Sequence, residues 1–579
     1  MQKKIIRRTT TAALPSLSHL PPLLQHIYTA RGVQSHHELE HDLAQLLPYN
    51  TLLGIDTAVN LLFTALVQQK KIVVIGDFDA DGATSTVVAV RALRSFGAKQ
   101  VDYLVPNRFT FGYGITPELV AVAKTQFDPA VIITVDNGIA NHAGVLAAKE
   151  LGMQVIITDH HLAGDTLPIA DAIVNPNQPN DPFPSKHIAG VGTLFYVMLA
   201  LRRFLSDQGW FVAQGLPGPN MSRLLDLVAL GTVADVVPLD HNNRILVQQG
   251  LRRIRARQCV PGVLALLEIV KRDPARLVAA DLGFVVAPRL NAAGRLDDMS
   301  LGIECLLCDD MARAREMAQV LDSLNDERRV IEQEMQEQAI IYLKKWQPNE
   351  QQLPRGICLF DEEWHQGVIG ILASRIKDRL QRPVIAFALA NATELKGSAR
   401  SIPGIHIRDA LALINAKKPN LISKFGGHAM AAGLVLPRTA FKEFSLAFND
   451  VISAQIKEDD FLHKFISDGE LKTADLSLGL AEILREAGPW GHAFPEPLFD
   501  GVFQVLEQRL LATKHLKMSL ALEDRVLDAI AFNVDLNEWP NYRCEYVNIV
   551  YRLDVNEFRG KRKAQLIVEH LEAASATMN

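Results

Sequence analysis

The regular alternation of short apolar runs with helix-length segments between residues 70 and 174 constrains the fold more than any other feature of this chain. The apolar runs are rich in Val and Ile, and segments with helical spacing separate them. This rhythm predicts βαβ units and a mostly parallel sheet. Ligands collect at the carboxyl ends of parallel strands, so the residues that follow each run are candidates for a site. The predicted strands are Ile72–Ile75, Val101–Val105, Ala130–Val135, Val155–Thr158 and Ala172–Val174.

The rest of the chain divides into parts with different patterns. Helical spacing predominates from residue 190 to 307, and residues 309–346 continue it without Gly or Pro, which predicts one long helix. Apolar runs and helical segments between residues 356 and 449 predict a smaller α/β domain. Its strands are predicted at Gly356–Phe360, Pro383–Phe387 and Ala431–Leu436. Short apolar alternations after residue 457 predict a small β-barrel.

The expected fold class is therefore α/β, with a parallel-sheet domain joined by a long helix to a smaller α/β domain, and a C-terminal barrel. The expected divisions are an N-terminal segment (1–49), the parallel-sheet domain (50–308), the connecting helix (309–350), the second α/β domain (351–456) and the barrel domain (457–579). The barrel strands are predicted at Leu498–Val505, His515–Leu522, Leu527–Asn533, Tyr546–Leu553 and Ala564–Val568.

Composition places limits on the compartment. No apolar run reaches the roughly 18 residues that span a bilayer. The five cysteines form no disulfide framework, which favours a reducing cytosol. The first 37 residues contain no Asp or Glu, as in organellar transit peptides, but we expect a mature cytoplasmic N-terminus. The net charge of −5 neither indicates nor excludes nucleic-acid binding, because such binding depends on local basic patches.

The run that follows the first predicted strand carries three carboxylates at alternate positions: Asp77, Asp79 and Asp81. Clustered carboxylates repel one another unless a cation neutralises them, and hard divalent cations prefer oxygen ligands. The same spacing opens a calcium-binding EF-hand loop, but the twelfth position is Val88 instead of Glu and a strand precedes the run. The EF-hand is therefore rejected, and the run predicts a divalent-cation site of another kind. For the loop considered alone, a solvated acidic turn is the alternative.

Further acidic and histidine residues end other apolar runs. Asp136 follows one predicted strand, an Asp-His-His run (Asp159, His160 and His161) follows another, and Asp235 lies within a later apolar stretch. A single buried aspartate is usually a helix cap or a satisfied core group. Several at the ends of strands in one sheet instead predict a shared site. A mixed set of carboxylate and imidazole ligands suits Mn²⁺. It also suits Mg²⁺, although Mg²⁺ has less preference for imidazole.

These motifs carry a family resemblance. GDFDADG, TVDNG, TDHH and ADVVPL together resemble the DHH phosphoesterase superfamily, and the GGHAMAAG run at Gly426–Gly433 resembles its companion DHHA1 domain. The order, the spacing and the C-terminal extension resemble the RecJ family of single-strand-specific 5′→3′ DNA exonucleases. The resemblance covers essentially the whole chain, and the motifs as a set are highly specific.

The resemblance implies a centre of two divalent metal ions, Mn²⁺ or Mg²⁺, that hydrolyses phosphodiesters and releases 5′-mononucleotides. Asp159 would orient the histidines, and His161 would contact the scissile phosphate. Asp77 would be either a weaker ligand or a supporting carboxylate. The catalytic residues would be His161, Asp136 and Asp81. The implied metal ligands are Asp77, Asp79, Asp81, Asp136, His160 and Asp235.

The resemblance also implies residues that bind the substrate. Ser398 and Arg400, in what the sequence suggests is a Gly-containing loop, would form a pocket for the terminal 5′ phosphate together with Arg108. Ala399 stands where the family usually has Gly. His428 would contact substrate, whereas Arg295 is either a phosphate contact or half of a structural ion pair.

The predicted barrel combines basic and aromatic residues. The run Arg559–Lys563 is basic, Phe558 precedes it, and Tyr542, Tyr546 and Tyr551 lie upstream. Basic rims with aromatic platforms bind single strands without sequence preference, as in OB-folds. A solvated hairpin with core aromatics is the alternative. The family implies single-stranded DNA as substrate, a single-strand-binding protein and a helicase as partners, a monomer, no membrane, and a role in recombination and repair.

Two other functions compete with this interpretation. A DHH phosphoesterase could act on short oligonucleotides or cyclic dinucleotides, but the long chain and its extra barrel disfavour small substrates. A non-catalytic single-strand-binding replication scaffold would have lost metal ligands, and every expected ligand is present.

Overall fold

The structure, a computed structural model, describes residues 3–9, 14–346, 353–456, 463–512, 514–558 and 560–574 of the 579-residue chain. The chain divides into two compact units. The larger unit contains Ile5–Asp322 and Ile466–Asn579, and the smaller unit contains Met1–Lys4 and Ser323–Phe465.

The first part of the larger unit alternates strands and helices as the sequence predicts. Each of the five predicted strands is present within one residue of its predicted bounds. The elements are β1 (Lys3–Arg7), α1 (Pro22–Thr29), α2 (Ile55–Val67), β2 (Ile72–Ile75), α3 (Ala80–Ser95), β3 (Val101–Leu104), α4 (Pro117–Phe127), β4 (Val131–Val135), α5 (His142–Glu150), β5 (Gln154–Thr158) and β6 (Ala172–Val174).

Strands β2 to β6 form a five-stranded parallel sheet in the order β3-β2-β4-β5-β6. β2 and β4 are buried along their whole length, because both faces of a parallel sheet are covered. The chain continues from β2 to β3 on one side and later places β4 on the other side of β2. The carboxyl ends of β2 and β4 therefore flank a topological switch point, where sheets of this kind bind ligands.

Helices follow the sheet in the larger unit. α3 packs against α6 and α8, and α8 ends one residue before Asp235. A π-helical turn, Leu282–Val286, precedes the last helix but one. The helices are α6 (Gly190–Asp207), α7 (Trp210–Ala213), α8 (Leu225–Ala234), α9 (His241–Arg255), α10 (Pro261–Ile269), α11 (Ala279–Asp281), α12 (Ala287–Leu296) and α13 (Ser300–Leu307).

The predicted long helix is present as α14 (Met311–Trp346), and the three strands predicted after it are confirmed. They belong to a five-stranded sheet in the order β10-β11-β9-β8-β7, and α15 packs against β8 and β9. The elements are β7 (Ile357–Phe360), α15 (Ile369–Leu380), β8 (Val384–Leu389), β9 (Glu394–Arg400), α16 (Ile407–Lys417), β10 (Lys424–Gly427), β11 (Ala431–Pro437), α17 (Phe441–Gln455) and β12 (His463–Ser467).

The prediction of a loop at Ser398 and Arg400 is wrong, because both residues lie in β9. Along this strand buried residues alternate with polar ones that are only partly covered. Ala399 is buried in the core of the sheet. Its methyl group therefore points to the face opposite Ser398 and Arg400, as strand geometry requires.

The predicted C-terminal barrel is confirmed as a closed barrel in the order β13-β14-β15-β17-β16. β15 and β17 are parallel, and the other neighbours are antiparallel. Large aromatic side chains such as Phe499 and Phe503 fill its core. The elements are α18 (Leu478–Glu486), β13 (Phe499–Leu511), β14 (His515–Leu522), β15 (Arg525–Ala531), β16 (Tyr546–Phe558) and β17 (Lys561–Ala574).

The parallel-sheet part and the barrel contact each other within the larger unit. Arg31 donates to both carboxylate oxygens of Asp468 at 2.9 Å, and the main-chain N–H of Leu239 donates to the carbonyl of His492 at 2.8 Å. Among the described residues, no single helix is long and apolar enough to cross a membrane, although one bent pair, Leu43–Thr51 with Ile55–Val67, passes by length and composition alone.

Candidate metal centre

The loop after β2 and the first turn of α3 hold the three carboxylates in different settings. One oxygen of Asp79 accepts hydrogen bonds from the main-chain N–H groups of Asp81 and Gly82, both at 3.0 Å. Asp79 is therefore the N-cap of α3, and the positive end of that helix faces the loop. Asp77 is 3% exposed and Asp81 is 1% exposed, so water does not screen these two carboxylates.

The first residues of α6 fix Asp81 in place. The N–H of Gly190 donates to Oδ2 of Asp81 at 2.7 Å, and the N–H of Val191 donates to Oδ1 at 3.0 Å. A Cβ atom at position 190 would lie 2.6 Å from Cβ of Asp136. Only glycine at this position therefore lets α6 approach both aspartates.

Asp136 follows β4 and is 2% exposed. Its φ of +61° is in the left-handed region, which is uncommon for a residue other than glycine. Oδ1 of Asp136 lies 3.1 Å from Nε2 of His160, and the same nitrogen lies 3.4 Å from Oδ2 of Asp235. His160 thus joins the carboxylate after β4 to the carboxylate after α8.

Asp159 orients the two histidines. Its Oδ1 accepts a hydrogen bond from the main-chain N–H of His160 at 2.7 Å and lies 2.7 Å from Nδ1 of His161. Its Oδ2 accepts from the N–H of Ile139 at 3.0 Å. Asp159 therefore holds both histidines in place.

The candidate ligand atoms form three overlapping groups, and within each group the atoms lie within 4.8 Å of one another. The groups are Asp77, Asp79 and Asp136; Asp136, His160 and His161; and Asp81, His160 and Asp235. Asp136 and His160 each belong to two groups. The structure thus brings all six predicted ligands into one cluster, and it places His161 beside them.

Electrostatic repulsion is strong in this cluster. Burial raises the pKa of Asp136 well above its ordinary range, and the carboxylates of Asp81 and Asp79 raise it further. Burial likewise raises the pKa of Asp81 to about 7, with Asp235 the largest charged contributor. Burial and the charge of Asp79 raise the pKa of Asp235 to about 7. Ionised together, these groups need a cation beside them.

The two histidines differ in charge. Burial lowers the pKa of His160, and the neighbouring His161 lowers it further, so its imidazole is neutral and able to bind a metal. Burial would also lower the pKa of His161, but the Asp159 carboxylate raises it to about 9. His161 is therefore positively charged at neutral pH, which suits contact with a phosphate.

Three buried atoms of the cluster have no aligned hydrogen-bond partner: Oδ1 of Asp77, Oδ1 of Asp136 and Nε2 of His160. Leaving such atoms unsatisfied is costly, and native proteins usually provide a partner. Carboxylate oxygens with one or two imidazole nitrogens are the donor set that Mn²⁺ and Mg²⁺ accept. The residues present therefore fit divalent cations.

Tyr113 is a residue of the site that the sequence did not reveal. Its hydroxyl donates to the main-chain carbonyl of Asp136 at 3.1 Å and lies 3.2 Å from Nε2 of His161. Its ring meets the ring of Phe78 edge to face at 6.0 Å. The loop after β3 brings it over the end of β4, a long-range placement that no local pattern encodes.

Arg108 lies beside the acidic loop, and its role as a substrate contact stays a prediction. Its guanidinium stacks on the ring of Phe78 at 4.0 Å. Burial lowers its pKa, which Asp77 and Asp79 partly restore, and its Nε is buried without a hydrogen-bond partner. A cation held this way is available to an anion near the carboxylates.

Arg295 lies in the last turn of α12, which packs on the acidic loop. Oδ1 of Asn291, on the same helix, accepts from the main-chain N–H of Ala80 at 2.8 Å. This contact places α12 next to the start of α3. A role for Arg295 in phosphate binding stays a prediction.

In the smaller unit, Ser398 and Arg400 lie on one face of β9. Nη1 of Arg400 donates to Oγ of Ser398 at 3.2 Å and to the carbonyl of Ala399 at 2.8 Å. Burial lowers the pKa of Arg400. A Cβ atom at Gly370, in the first turn of α15, would lie 2.9 Å from Oγ of Ser398 and 3.0 Å from Nη2 of Arg400. The positive end of α15 therefore faces these side chains, as in anion sites at helix N-termini.

His428 lies in the turn between β10 and β11 and is exposed. Its main-chain N–H donates to the carbonyl of Ala431 at 2.8 Å, and Ala431 is the partner of Arg400 in the sheet register. His428 and Arg400 therefore lie at the same end of this sheet.

The interpretation of the barrel as a basic and aromatic surface holds only in part. Tyr551 is 1% exposed and its ring packs against Phe503 in the barrel core, so its assignment as a DNA platform is wrong. Tyr542 is 78% exposed. Arg562 forms an ion pair with Glu482 at 2.8 Å. The side chain of Phe558, and Arg559 as a whole, lie outside the described residues.

Comparisons with known families agree with this architecture. The model of the DHH family, N-terminal domain, matches residues 71–232, that of the DHHA1 domain matches 353–454, and that of the RecJ OB domain matches 467–570. The fold and the cluster thus define a metal-dependent phosphodiesterase of the DHH class.

Relatives that match along the whole chain identify the family within this class. The single-stranded-DNA-specific exonuclease RecJ of Salmonella typhimurium is 53% identical over 98% of this chain and 99% of its own length. That of Escherichia coli is 53% identical over 97% of each chain. The crystal structure of RecJ from Thermus thermophilus in complex with Mn²⁺ matches with a TM-score of 0.79 and 31% identity, covering 98% of this chain and 80% of that one. This chain belongs to the RecJ family and is a metal-dependent single-stranded-DNA exonuclease.

Proposed function

We propose that this exonuclease binds two divalent cations, Mn²⁺ or Mg²⁺, and degrades single-stranded DNA from its 5′ end to 5′-mononucleotides. The proposal of two cations rests on the overlap of the three groups of candidate ligand atoms. Asp77, Asp79 and Asp136 offer one set of ligands, whereas Asp81, His160 and Asp235 offer another, and Asp136 lies against His160 at 3.1 Å. Asp136, which also shares a group with His160 and His161, would help to hold the cations together with both sets.

The protein groups prepare the reaction in complementary ways. When bound, a pair of cations activates a water and neutralises charge on the transferring phosphate and the leaving oxygen. His161, held by Asp159 at 2.7 Å, presents a positive imidazolium to the scissile phosphate. Tyr113 fixes His161 relative to the main chain of Asp136. Burial keeps the carboxylates of Asp81 and Asp136 away from bulk water, which strengthens their attraction for a cation.

Recognition of a 5′ terminus is assigned to Ser398 and Arg400 of the smaller unit. Further substrate contacts are assigned to His428 of the same unit and, separately, to Arg108 and Arg295 of the larger unit. The supporting observation is the setting of Arg400, whose guanidinium has its pKa lowered by burial and donates to Ser398 and a main-chain carbonyl. An arginine beside a hydroxyl and a helix N-terminus favours a phosphate monoester.

A labelled-strand assay tests the reaction. Single-stranded DNA carrying a label at its 5′ or its 3′ end is incubated with the protein, with and without Mn²⁺. The 5′ label is expected to appear at once as a mononucleotide, whereas the 3′ label stays in progressively shorter strands. Immediate release of the 3′ label would reverse the assigned polarity, and equal rates on dinucleotides and long strands would favour a small-substrate phosphoesterase.

Substitution of Arg400 tests the terminal pocket. Arg400→Ala is expected to slow cleavage of 5′-phosphorylated strands about tenfold or more, because a charge-assisted contact contributes roughly 1.5–3 kcal/mol. Cleavage of 5′-hydroxyl strands is expected to change little. The control is Arg379→Ala, which removes an exposed arginine near the other end of α15. Equal losses on both kinds of strand would contradict a terminal phosphate pocket.

We further propose that the enzyme is a monomer that acts in the cytoplasm in DNA recombination and repair, with a single-strand-binding protein and a helicase as partners. Its five cysteines are free thiols, which suits a reducing compartment. Sedimentation of the purified protein tests the monomer, and stimulation of cleavage by each added partner tests the associations.

A further inference from the structure

A cavity of about 610 Å³ lies within the larger unit, between the end of α8 and the barrel region. Val236 and Phe284 line it from the parallel-sheet side, and Trp490 and Arg552 line it from the other. Its volume is in the range of small-ligand sites. None of the residues assigned to the metal cluster or to the terminal phosphate pocket lines it.

The cavity begins one residue after a proposed metal ligand. Val236 follows Asp235, is 64% exposed and has a φ of +60°. This left-handed conformation is a true outlier for a β-branched residue, and such strain concentrates at functional sites. Thr232 and Val233, from the last turns of α8, line the same cavity. The turn that follows α8 therefore connects the cavity lining to the metal ligand Asp235.

Phe284 supplies an exposed aromatic ring. It is 80% exposed and lies in the π-helical turn Leu282–Val286. π-Helical turns are rare and frequently mark functional sites. Trp490 is held firmly, because its Nε1 donates to the carbonyl of Leu484 at 2.8 Å and its ring stacks on Phe494 at 5.1 Å. The cavity thus combines one available ring with a fixed aromatic wall.

The charges around the cavity are balanced. Arg552 forms an ion pair with Glu496 at 3.0 Å, and Arg272 lies 3.5 Å from Asp281. The charged residues of the lining are Arg255, Arg272, Arg485, Arg552, Asp281, Glu486, Glu496 and Asp554. Four positive charges against four negative ones do not select a phosphate. They suit a neutral planar group whose edge carries both hydrogen-bond donors and acceptors.

We propose that this cavity binds an unpaired base of the substrate strand, on the ring of Phe284. A nucleobase is planar and neutral with a polar edge, and single strands bind proteins by stacking their bases on aromatic side chains. The subsite rests on the exonuclease function and deepens it. Such a subsite would favour a single strand, because a base that is stacked and paired in a duplex does not offer its face to the ring of Phe284.

Abasic scanning tests the subsite. A set of 5′-phosphorylated single strands, each lacking one base at a successive position, is cleaved by the wild-type enzyme with Mn²⁺. KM is expected to rise about tenfold for one position of the missing base and to stay unchanged for the others, because stacking of one base contributes about that factor. An intact strand in the same assay reports the exonuclease activity itself, so loss of that activity is separate from loss of the subsite.

Variants of Phe284 identify the contact. Phe284→Leu keeps apolar volume without the ring, and it is expected to raise KM for the intact strand about tenfold and to abolish the effect of the abasic position. Phe284→Tyr keeps the ring and is expected to behave as wild type. Val212→Ala, at a residue that is 88% exposed elsewhere in this unit, is the control. A flat abasic scan with the wild-type enzyme, or additive effects of Phe284→Leu and the missing base, would overturn the proposal.

Discussion

At the scale of single residues, Asp136 has contacts throughout the metal cluster. It belongs to two of the three candidate ligand groups, and its Oδ1 lies 3.1 Å from Nε2 of His160. Its main-chain carbonyl accepts a hydrogen bond from the hydroxyl of Tyr113. Substitution of Asp136 therefore tests the cluster as a whole.

Asp136→Asn separates the catalytic role of this residue from its effect on stability. Loss of a metal ligand is expected to lower kcat roughly a thousandfold, since a bound cation contributes several kcal/mol to transition-state stabilisation. The metal-free protein is expected to unfold at a higher temperature, because one repelling charge is gone and Asn tolerates a φ of +61°. Activity in Mn²⁺ and thermal unfolding in chelator measure the two effects.

Asp165→Asn is the matched control for this substitution, because it makes the same change of charge at an exposed position. It is expected to leave both cleavage and unfolding unchanged. Wild-type activity of Asp136→Asn in Mn²⁺ would refute the assigned centre.

Tyr113→Phe removes only the hydroxyl that bonds to the Asp136 carbonyl and lies near His161. Loss of a supporting contact of this kind is expected to lower kcat about 10- to 100-fold with little change in KM. Steady-state cleavage of single-stranded DNA measures this. Tyr542→Phe, at a residue that is 78% exposed, is the control. A kcat equal to that of the wild type would show that the hydroxyl does not position His161.

The types of residue in the site were more predictable than their contacts. Asp79, Asp136 and His160 were predictable because each lies within four residues of the end of an apolar strand, and strand ends of one parallel sheet meet at one edge. Tyr113 was not predictable, because its contact with Asp136 depends on how the loop after β3 folds. Tyr551 was misassigned because alternation along a strand does not distinguish the inside of a closed barrel from its outside.

At the scale of elements, segments with a clear apolar pattern were predictable, whereas segments that mix small, apolar and charged residues were not. β2 and β4 have continuous apolar sequences because they are buried on both faces. β9 alternates buried small or apolar residues with Lys396, Ser398 and Arg400, and it contains a glycine, so it resembled a loop. The edge strand β10, which pairs with β11, is short and mostly exposed, which leaves almost no apolar signal.

The approach of α15 to β9 depends on Gly370. Gly370→Ala is expected to maintain or slightly raise stability, since glycine within a helix is less favourable than alanine by roughly 0.5–1 kcal/mol. The added methyl group would displace Ser398 and Arg400, so the preference for 5′-phosphorylated over 5′-hydroxyl strands is expected to fall roughly tenfold. The ratio of the two cleavage rates measures this loss.

Gly479 provides a matched control for this substitution. It is also the second residue of its helix, α18, but a Cβ atom there would meet nothing within 4 Å. Gly479→Ala is therefore expected to leave the preference unchanged. If Gly370→Ala also leaves it unchanged, the first turn of α15 does not shape the phosphate pocket.

At the scale of the whole molecule, the order of the parts was predictable but their grouping was not. The sequence indicated a parallel sheet, a long helix, a second α/β part and a barrel, in that order. It gave no sign that the barrel shares one compact unit with Ile5–Asp322. That grouping depends on contacts between residues far apart in the chain, such as Arg31 and Asp468, which no local period relates.

The Arg31–Asp468 ion pair is expected to control the stability of the larger unit. The two side chains are 0% and 1% exposed, so Arg31→Met would leave the Asp468 carboxylate buried, with Arg8 at a longer distance of 3.6 Å. Removing one partner of such a pair costs about 3 kcal/mol or more. The midpoint of urea unfolding, followed by the fluorescence of Trp490 and the other tryptophans, is expected to fall accordingly.

A second substitution distinguishes the effect of an unpaired buried charge on stability from the effect of lost packing. Adding Asp468→Asn to Arg31→Met removes the charge but keeps an acceptor for the main-chain N–H of Leu498, which lies 3.1 Å from Oδ2 of Asp468. The double variant is therefore expected to recover at least half of the lost stability. Arg203→Met, which breaks an exposed pair with Asp207, is expected to change stability by less than about 1 kcal/mol. If the double variant is no more stable than Arg31→Met, then lost packing and not an unpaired charge explains the lower stability of Arg31→Met.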